Sequence, residues 1–180
     1  MRQETTLVTE RLLLRPWTFD DVPAVVAYAD DEEWSRYLPL PFPYTQRDGE
    51  EYIARNVLTD WATHPVFAMV LDGVPVGGIA FQVDSSSATA SIGYALGRAY
   101  WGRGLVAEAA LVAIDWAFAE LALAKLTATA DLLNTQSWRV MEKLGMTREG
   151  VLRADRVLRG LRQDVVHYGV LREEWLARRG

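Results

Sequence analysis

Hydrophobic and polar positions change period several times along this chain, and each change predicts an element. Leu7 to Arg15 is leucine-rich and stops at Pro16, which predicts a strand. Thr18 followed by Asp21 predicts a helix start, and Val22, Val25, Val26 and Ala29 continue it at helical spacing. The run Asp30-Asp31-Glu32-Glu33 closes that helix, an unfavourable placement of carboxylates at a negative dipole end. Leu38 to Tyr44 holds three prolines and predicts an irregular segment. Thr45 with Asp48 starts a second helix carrying Tyr52, Ile53, Val57 and Trp61.

The period then shortens. Val66 to Leu71 and Val74 to Val83 predict a hairpin closed by Asp72-Gly73. After a turn at Asp84 to Ser87, Ala88 to Leu96 adds a third strand. A helix from about Leu105 to Leu121 sets Leu105, Ala109, Val112, Ala113 and Trp116 on one face. Its other faces are also apolar, so it belongs between layers. Lys125 to Leu132 reads as a strand and Asn134 to Leu144 as a helix stopped by Gly145. Thr147 to Arg153 and Gln163 to Leu171 are the last strands, around a basic loop with Arg153, Arg156, Arg159 and Arg162. Glu173 to Arg178 is a tail helix. This order predicts an α+β fold, one mixed sheet with helices on it, in one domain spanning residues 1–180.

Composition narrows the chemistry. The chain has no cysteine and two histidines, His64 and His167, which excludes thiolate chemistry and leaves no basis for a metal site. A net charge of −5 argues against nucleic acid as a partner. No apolar run approaches a membrane span, and the first residues lack the pattern of a signal peptide, so the expected location is the cytoplasm.

The candidate chemistry sits in Tyr100-Trp101-Gly102-Arg103-Gly104-Leu105-Val106-Ala107-Glu108, a strand-to-helix turn. Gly102 and Gly104 allow close approach of the backbone to a ligand, and the helix that follows opens with unpaired amides that favour an anion such as a pyrophosphate. Arg103 adds a positive charge. Glycines serving only the turn's geometry are the plain alternative. Gly102-x-Gly104-x-x-Ala107, with Asp131 after the next strand, also fits a dinucleotide fingerprint. That reading fails because an antiparallel meander precedes the turn and too little chain follows for a doubly wound sheet.

These segments together resemble the GNAT-fold N-acetyltransferases, in the branch that includes enzymes acetylating the N-termini of ribosomal proteins. The resemblance rests on Thr9-Glu10-Arg11-Leu12-Leu13-Leu14-Arg15, Val76-Gly77-Gly78-Ile79, Ile92-Gly93-Tyr94-Ala95-Leu96, Tyr100 to Ala109, Asn134-x-x-Ser137 and Glu142-Lys143-Leu144-Gly145-Met146. It implies a mostly antiparallel central sheet flanked by helices, with the central strand splayed from its neighbour after Ile92-Gly93-Tyr94. It also implies acetyl-CoA as cosubstrate and a primary amine as acceptor. The pantetheine arm would pair with backbone near Ala95 and Leu96, where a backbone amide near Ala95 would also be the oxyanion donor. The pyrophosphate would lie on Gly102, Arg103, Gly104, Leu105, Val106 and Ala107, with Asn134 on the pantetheine and Lys143 near the phosphates.

The chain departs from the family's pattern in four places. Trp101 and Val106 replace commoner residues, Met141 stands where many members carry a catalytic tyrosine, and Ser91 where relatives often carry glutamate. Ser137 is then the candidate hydrogen-bond donor to the leaving thiolate. Asp84, Glu33 and His64 are conceivable bases, with water relaying the proton as the default. Glu33, Trp34, Tyr37 and Tyr44 are the candidate acceptor pocket, since carboxylates and aromatic rings suit an ammonium. A protein N-terminus, an aminoglycoside-like antibiotic amine and a small polyamine or amino acid remain open as acceptors. So does a non-catalytic acyl-CoA-binding module, and the chain is expected as a monomer or homodimer.

Overall fold

A computed structural model describes residues 5–179. One eight-stranded sheet organises it, in the order β1-β2-β3-β4-β5-β6-β8-β7. The leucine-rich start is two strands, β1 (Leu7–Val8) and β2 (Leu12–Arg15), folded on each other. They are joined by β3 (Val66–Leu71), β4 (Val74–Asp84) and β5 (Thr89–Leu96), each antiparallel to the strand before it. β6 (Lys125–Asp131) runs parallel to β5, but only Thr89, Ala90 and Ser91 pair, with Lys125, Leu126 and Thr127. The two strands part after Ser91, earlier than the resemblance implied. β7 (Thr147–Leu158) and β8 (Leu161–Leu171) complete the sheet.

Helices cover both faces. α1 (Val22–Ala29), α2 (Glu32–Ser35) and α3 (Gln46–Val57) lie on one side, where Val22, Val25, Trp34 and Ile53 pack against Val66, Ala68 and Val70. α4 (Leu105–Glu120), α5 (Thr135–Lys143) and α6 (Arg172–Arg179) lie on the other. α4 buries Leu105, Ala109, Ala110, Ala113, Ile114, Ala117 and Phe118, as a helix apolar on several faces must. Its Trp116 meets Phe67 edge-on at 5.2 Å between ring centroids.

Three further expectations change. The second helix ends at Val57, and Trp61 lies beyond it in a turn. The acidic run does not only close α1. Asp31 caps a new helix, accepting from the Trp34 amide at 3.0 Å, and puts Glu32 and Glu33 in its first turn, where the dipole favours them. The basic loop shrinks to a tight turn at Arg159-Gly160, both with left-handed backbone (φ 49° and 78°), and the residues on either side continue as strands. Arg159 then reaches back across the fold and donates to the buried Ser35 Oγ at 3.0 Å.

Candidate active site

Where β5 leaves β6, a cleft of about 720 Å³ opens between β5, the start of α4, α5 and α2. Antiparallel pairing makes β5 hydrogen-bond to β4 on alternate residues. Gly97 N donates to Val76 O at 2.8 Å, and Ala95 O lies against Gly77, so these groups face β4. The main chain of Tyr94 and Leu96 therefore faces the cleft. Ala95 lines the cleft, but its own peptide groups are turned to the neighbouring strand and do not serve as an oxyanion donor. Leu96 O is already engaged by two indoles, Trp34 Nε1 at 3.0 Å and Trp101 Nε1 at 2.6 Å.

The turn into α4 has the geometry its glycines require. Gly102 and Gly104 have φ of 74° and 77°, a backbone that L side chains rarely adopt, and a Cβ on Gly102 would meet nothing within 4 Å. The first bond within α4 runs from Glu108 N to Gly104 O, so the amides of Leu105, Val106 and Ala107 precede the helical ladder. Gly102, Gly104, Leu105, Val106 and Ala107 line the cleft, whereas Arg103 does not and lies over the Tyr100 ring. Lys143 lines the cleft from α5 together with Arg139, one turn earlier on the same face.

Asn134 caps α5. Its side-chain carbonyl accepts from Ser137 N at 3.2 Å, which engages the oxygen and leaves the NH2 end as the group available to a ligand. Ser137 and Tyr94 form a pair across the opening. The Tyr94 phenol donates to Ser137 O at 2.8 Å, and Ser137 Oγ donates to the phenol oxygen at 3.4 Å. Burial pushes the Tyr94 phenol up to about 12 against a smaller lowering by Ser137, so it stays protonated.

Of the four residues expected around an acceptor, Glu33, Trp34 and Tyr37 line the cleft and Tyr44 does not. Tyr44 is 5% exposed in the α1–α3 core, and its hydroxyl donates to Asp48 O. Tyr37 donates to Leu133 O at 3.4 Å, which ties the end of α2 to the loop before α5. Among the three conceivable bases, Glu33 alone reaches the cleft. Asp84 is at the far end of β4, held down to about 2 by the hydroxyls of Ser86 and Ser87, and His64 is in the loop before β3. Sequence reasoning missed Tyr94 and Arg139 as site residues. The alternation Ile92, Tyr94, Leu96 and the four-residue spacing from Arg139 to Lys143 were the available signals.

An open strand edge, an anion-ready helix start, two cations on α5 and a carboxylate with aromatic rings on α2 define an acyl-CoA-dependent transferase acting on amines. The donor fits these residues, because left-handed Gly102 leaves open space in the turn and the amides of Leu105 to Ala107 precede the helical ladder. Residues 11–147 match the family model described as an acetyltransferase (GNAT) domain, and the chain belongs to this family. It is 31% identical over 169 residues to the uncharacterized N-acetyltransferase YnaD of Bacillus subtilis, covering 94% of this chain and 98% of that protein. It is 32% identical over 108 residues to YdaF of the same organism, named as a candidate ribosomal N-acetyltransferase, covering 59% of each. A GNAT acetyltransferase structure from Bacillus anthracis superimposes with a TM-score of 0.85 at 31% identity, covering 94% of this chain and all of that one. The protein is an N-acetyltransferase with acetyl-CoA as its cosubstrate. Among the described residues no cluster of three or more metal-ligating side chains is present, and no helix is long and apolar enough to cross a membrane.

Proposed function

We propose that the chain acetylates the α-amino group of a protein or peptide N-terminus. The observation that carries this reading is the polarity of the cleft. Arg139 and Lys143 follow one another along α5, away from Leu133, while Glu33 lines the cleft from α2, the helix that Tyr37 ties to Leu133 at the other end. Phosphates suit the first end and an ammonium suits the second.

Glu33 is the one carboxylate among the residues lining the cleft. In the same acidic run Asp31 is taken by Arg98 at 2.6 Å and Asp30 by the Tyr44 amide at 3.3 Å. A single carboxylate in the cleft lining, held only by a long exposed pair with Arg36 at 3.6 Å, matches a singly charged amine better than a polyamine or an aminoglycoside. The α-amino pKa of about 8 also leaves an appreciable neutral fraction near neutrality, whereas an alkyl amine near 10 needs a strong base. The relative YdaF bears a name that points the same way.

When bound, acetyl-CoA supplies an acetyl group already activated as a thioester. The amides of Gly104 to Ala107, with Arg139 and Lys143, hold its phosphates. The main chain of Tyr94 and the Asn134 NH2 hold its arm. Glu33 draws the ammonium in and accepts its proton through water. Ser137, its carbonyl held by the Tyr94 phenol, turns its O–H from the phenol oxygen to the departing sulfur. Serine's hydroxyl is too weak an acid to give up its proton, so it acts as a donor only.

Thiol release from acetyl-CoA, measured across peptides and amines, tests the acceptor. Peptides with a free α-amino group are expected to turn over, and the same peptides blocked at the N-terminus are not. Turnover confined to polyamines or aminoglycosides would overturn the reading, and so would tight CoA binding without release to any amine.

A further inference from the structure

The Thr9 to Arg15 segment lies outside the cleft, yet it grips the turn that forms it. Arg11 Nη1 donates to Arg103 O at 3.1 Å. The same guanidinium binds Glu108 on α4 through Nε at 2.7 Å and Nη2 at 2.5 Å, and the Arg11 amide donates to Glu108 Oε1 at 2.8 Å. Thr9 Oγ1 adds a 2.6 Å bond to that oxygen. Every oxygen of the Glu108 carboxylate is thus held from the β1–β2 turn.

We propose that Arg11 is a positioning residue for the pyrophosphate of the cosubstrate: it holds the Arg103 carbonyl away from the cleft and so aims the Gly104 N–H into it. The inference rests on the reading of the α4 start as the pyrophosphate site. In a trans peptide the C=O of one residue and the N–H of the next point in opposite directions. The cis peptide of the described residues is Phe42-Pro43, so the Arg103–Gly104 peptide is trans. With Arg103 O turned to the guanidinium, Gly104 N–H points to the opposite side, and Gly104 lines the cleft where Arg103 does not. Without Arg11 that peptide is free to flip and present a carbonyl to an anion. Arg11 also neutralises Glu108, a carboxylate in the first turn of α4 that would otherwise oppose a pyrophosphate at the helix start.

Calorimetric binding of CoA and of pantetheine, which lacks the phosphates, separates this role from a structural one. Arg11→Ala is expected to weaken CoA about tenfold or more and pantetheine by less than about twofold, the loss of one directed charge-assisted contact. Arg11→Lys, which keeps the charge without the fork, is expected to fall between, since lysine cannot hold Glu108 and Arg103 O together. If Arg11→Ala does not fold by circular dichroism, Arg11→Lys carries the comparison. Equal weakening of both ligands, or wild-type CoA affinity in a folded Arg11→Lys, would overturn the proposal. A wild-type protein that binds CoA no better than pantetheine would instead remove the pyrophosphate site itself.

Discussion

The Tyr94 phenol on β5 and Ser137 on α5 meet across the strand split, the phenol donating to Ser137 O at 2.8 Å. This contact holds the first turn of α5 at the place where β5 turns free main chain into the cleft. Tyr94→Phe is expected to lower kcat by about tenfold with little change in KM for acetyl-CoA, because it frees Ser137 to leave its position. Ser137→Ala should cost a similar factor, and the double variant no more than the larger single, as for residues acting as one unit. Additive losses in kcat would separate the two. Because burial pushes the phenol up to about 12, the wild-type rate should show no phenol titration below about pH 11.

Arg15 and Asp21 predict an acid limit to stability. The guanidinium meets both carboxylate oxygens at 2.7 Å, and Thr18 N donates to Oδ2 at 2.8 Å. Burial alone would raise the Asp21 carboxyl, but Arg15 and Thr18 outweigh it and hold it below the usual range. A lowered native value means the stabilisation is complete above the unfolded value of about 4 and is lost as pH falls through the native one. Urea midpoints taken from about pH 6 down to about 2.5 should fall in wild type. Asp21→Asn should flatten that slope and lower stability at neutral pH by about 1–2 kcal/mol, since it strands a half-buried guanidinium.

Two glycines on adjacent strands should respond unequally to alanine. A Cβ at Gly77 would stand 2.2 Å from Ala95 O, which is backbone and has no room to yield, whereas a Cβ at Gly93 meets nothing within 4 Å. Gly77→Ala is expected to cost about 3 kcal/mol or more, and Gly93→Ala under about 1 kcal/mol, in denaturant unfolding.

Lys143 and Arg139 should matter as charges. Replacing either with glutamine is expected to raise KM for acetyl-CoA about three- to tenfold at low salt, with the difference from wild type shrinking above about 0.3 M salt. A gap that does not change with salt would assign them a contact role instead.

Much of the fold was legible because its signals are local. The Thr45–Asp48 capping box, the Asp72-Gly73 hairpin and the Gly145 stop depend on residues a few positions apart, and the structure forms all three. The acidic run was harder to read, since Asp31 acts as a cap only once the chain turns at Asp30. The long β7–β8 hairpin was hidden by its charge. Arginines that read as a loop sit on an exposed edge pair, where alternation of apolar residues is weak.

The order and spacing of the segments from Thr9 to Met146, the glycine turn among them, resemble the GNAT acetyltransferases, and that resemblance implied acetyl-CoA before any tertiary contact was known. Each is read within a few residues of backbone, so no partner had to be known. Only the tertiary structure decided which groups face the cleft. It buried Tyr44, occupied Leu96 O with two indoles, turned Ala95 toward β4 and brought Arg11 to Arg103 from the far end of the chain. Strand register and contacts between residues some ninety positions apart set these directions, and no local pattern encodes them.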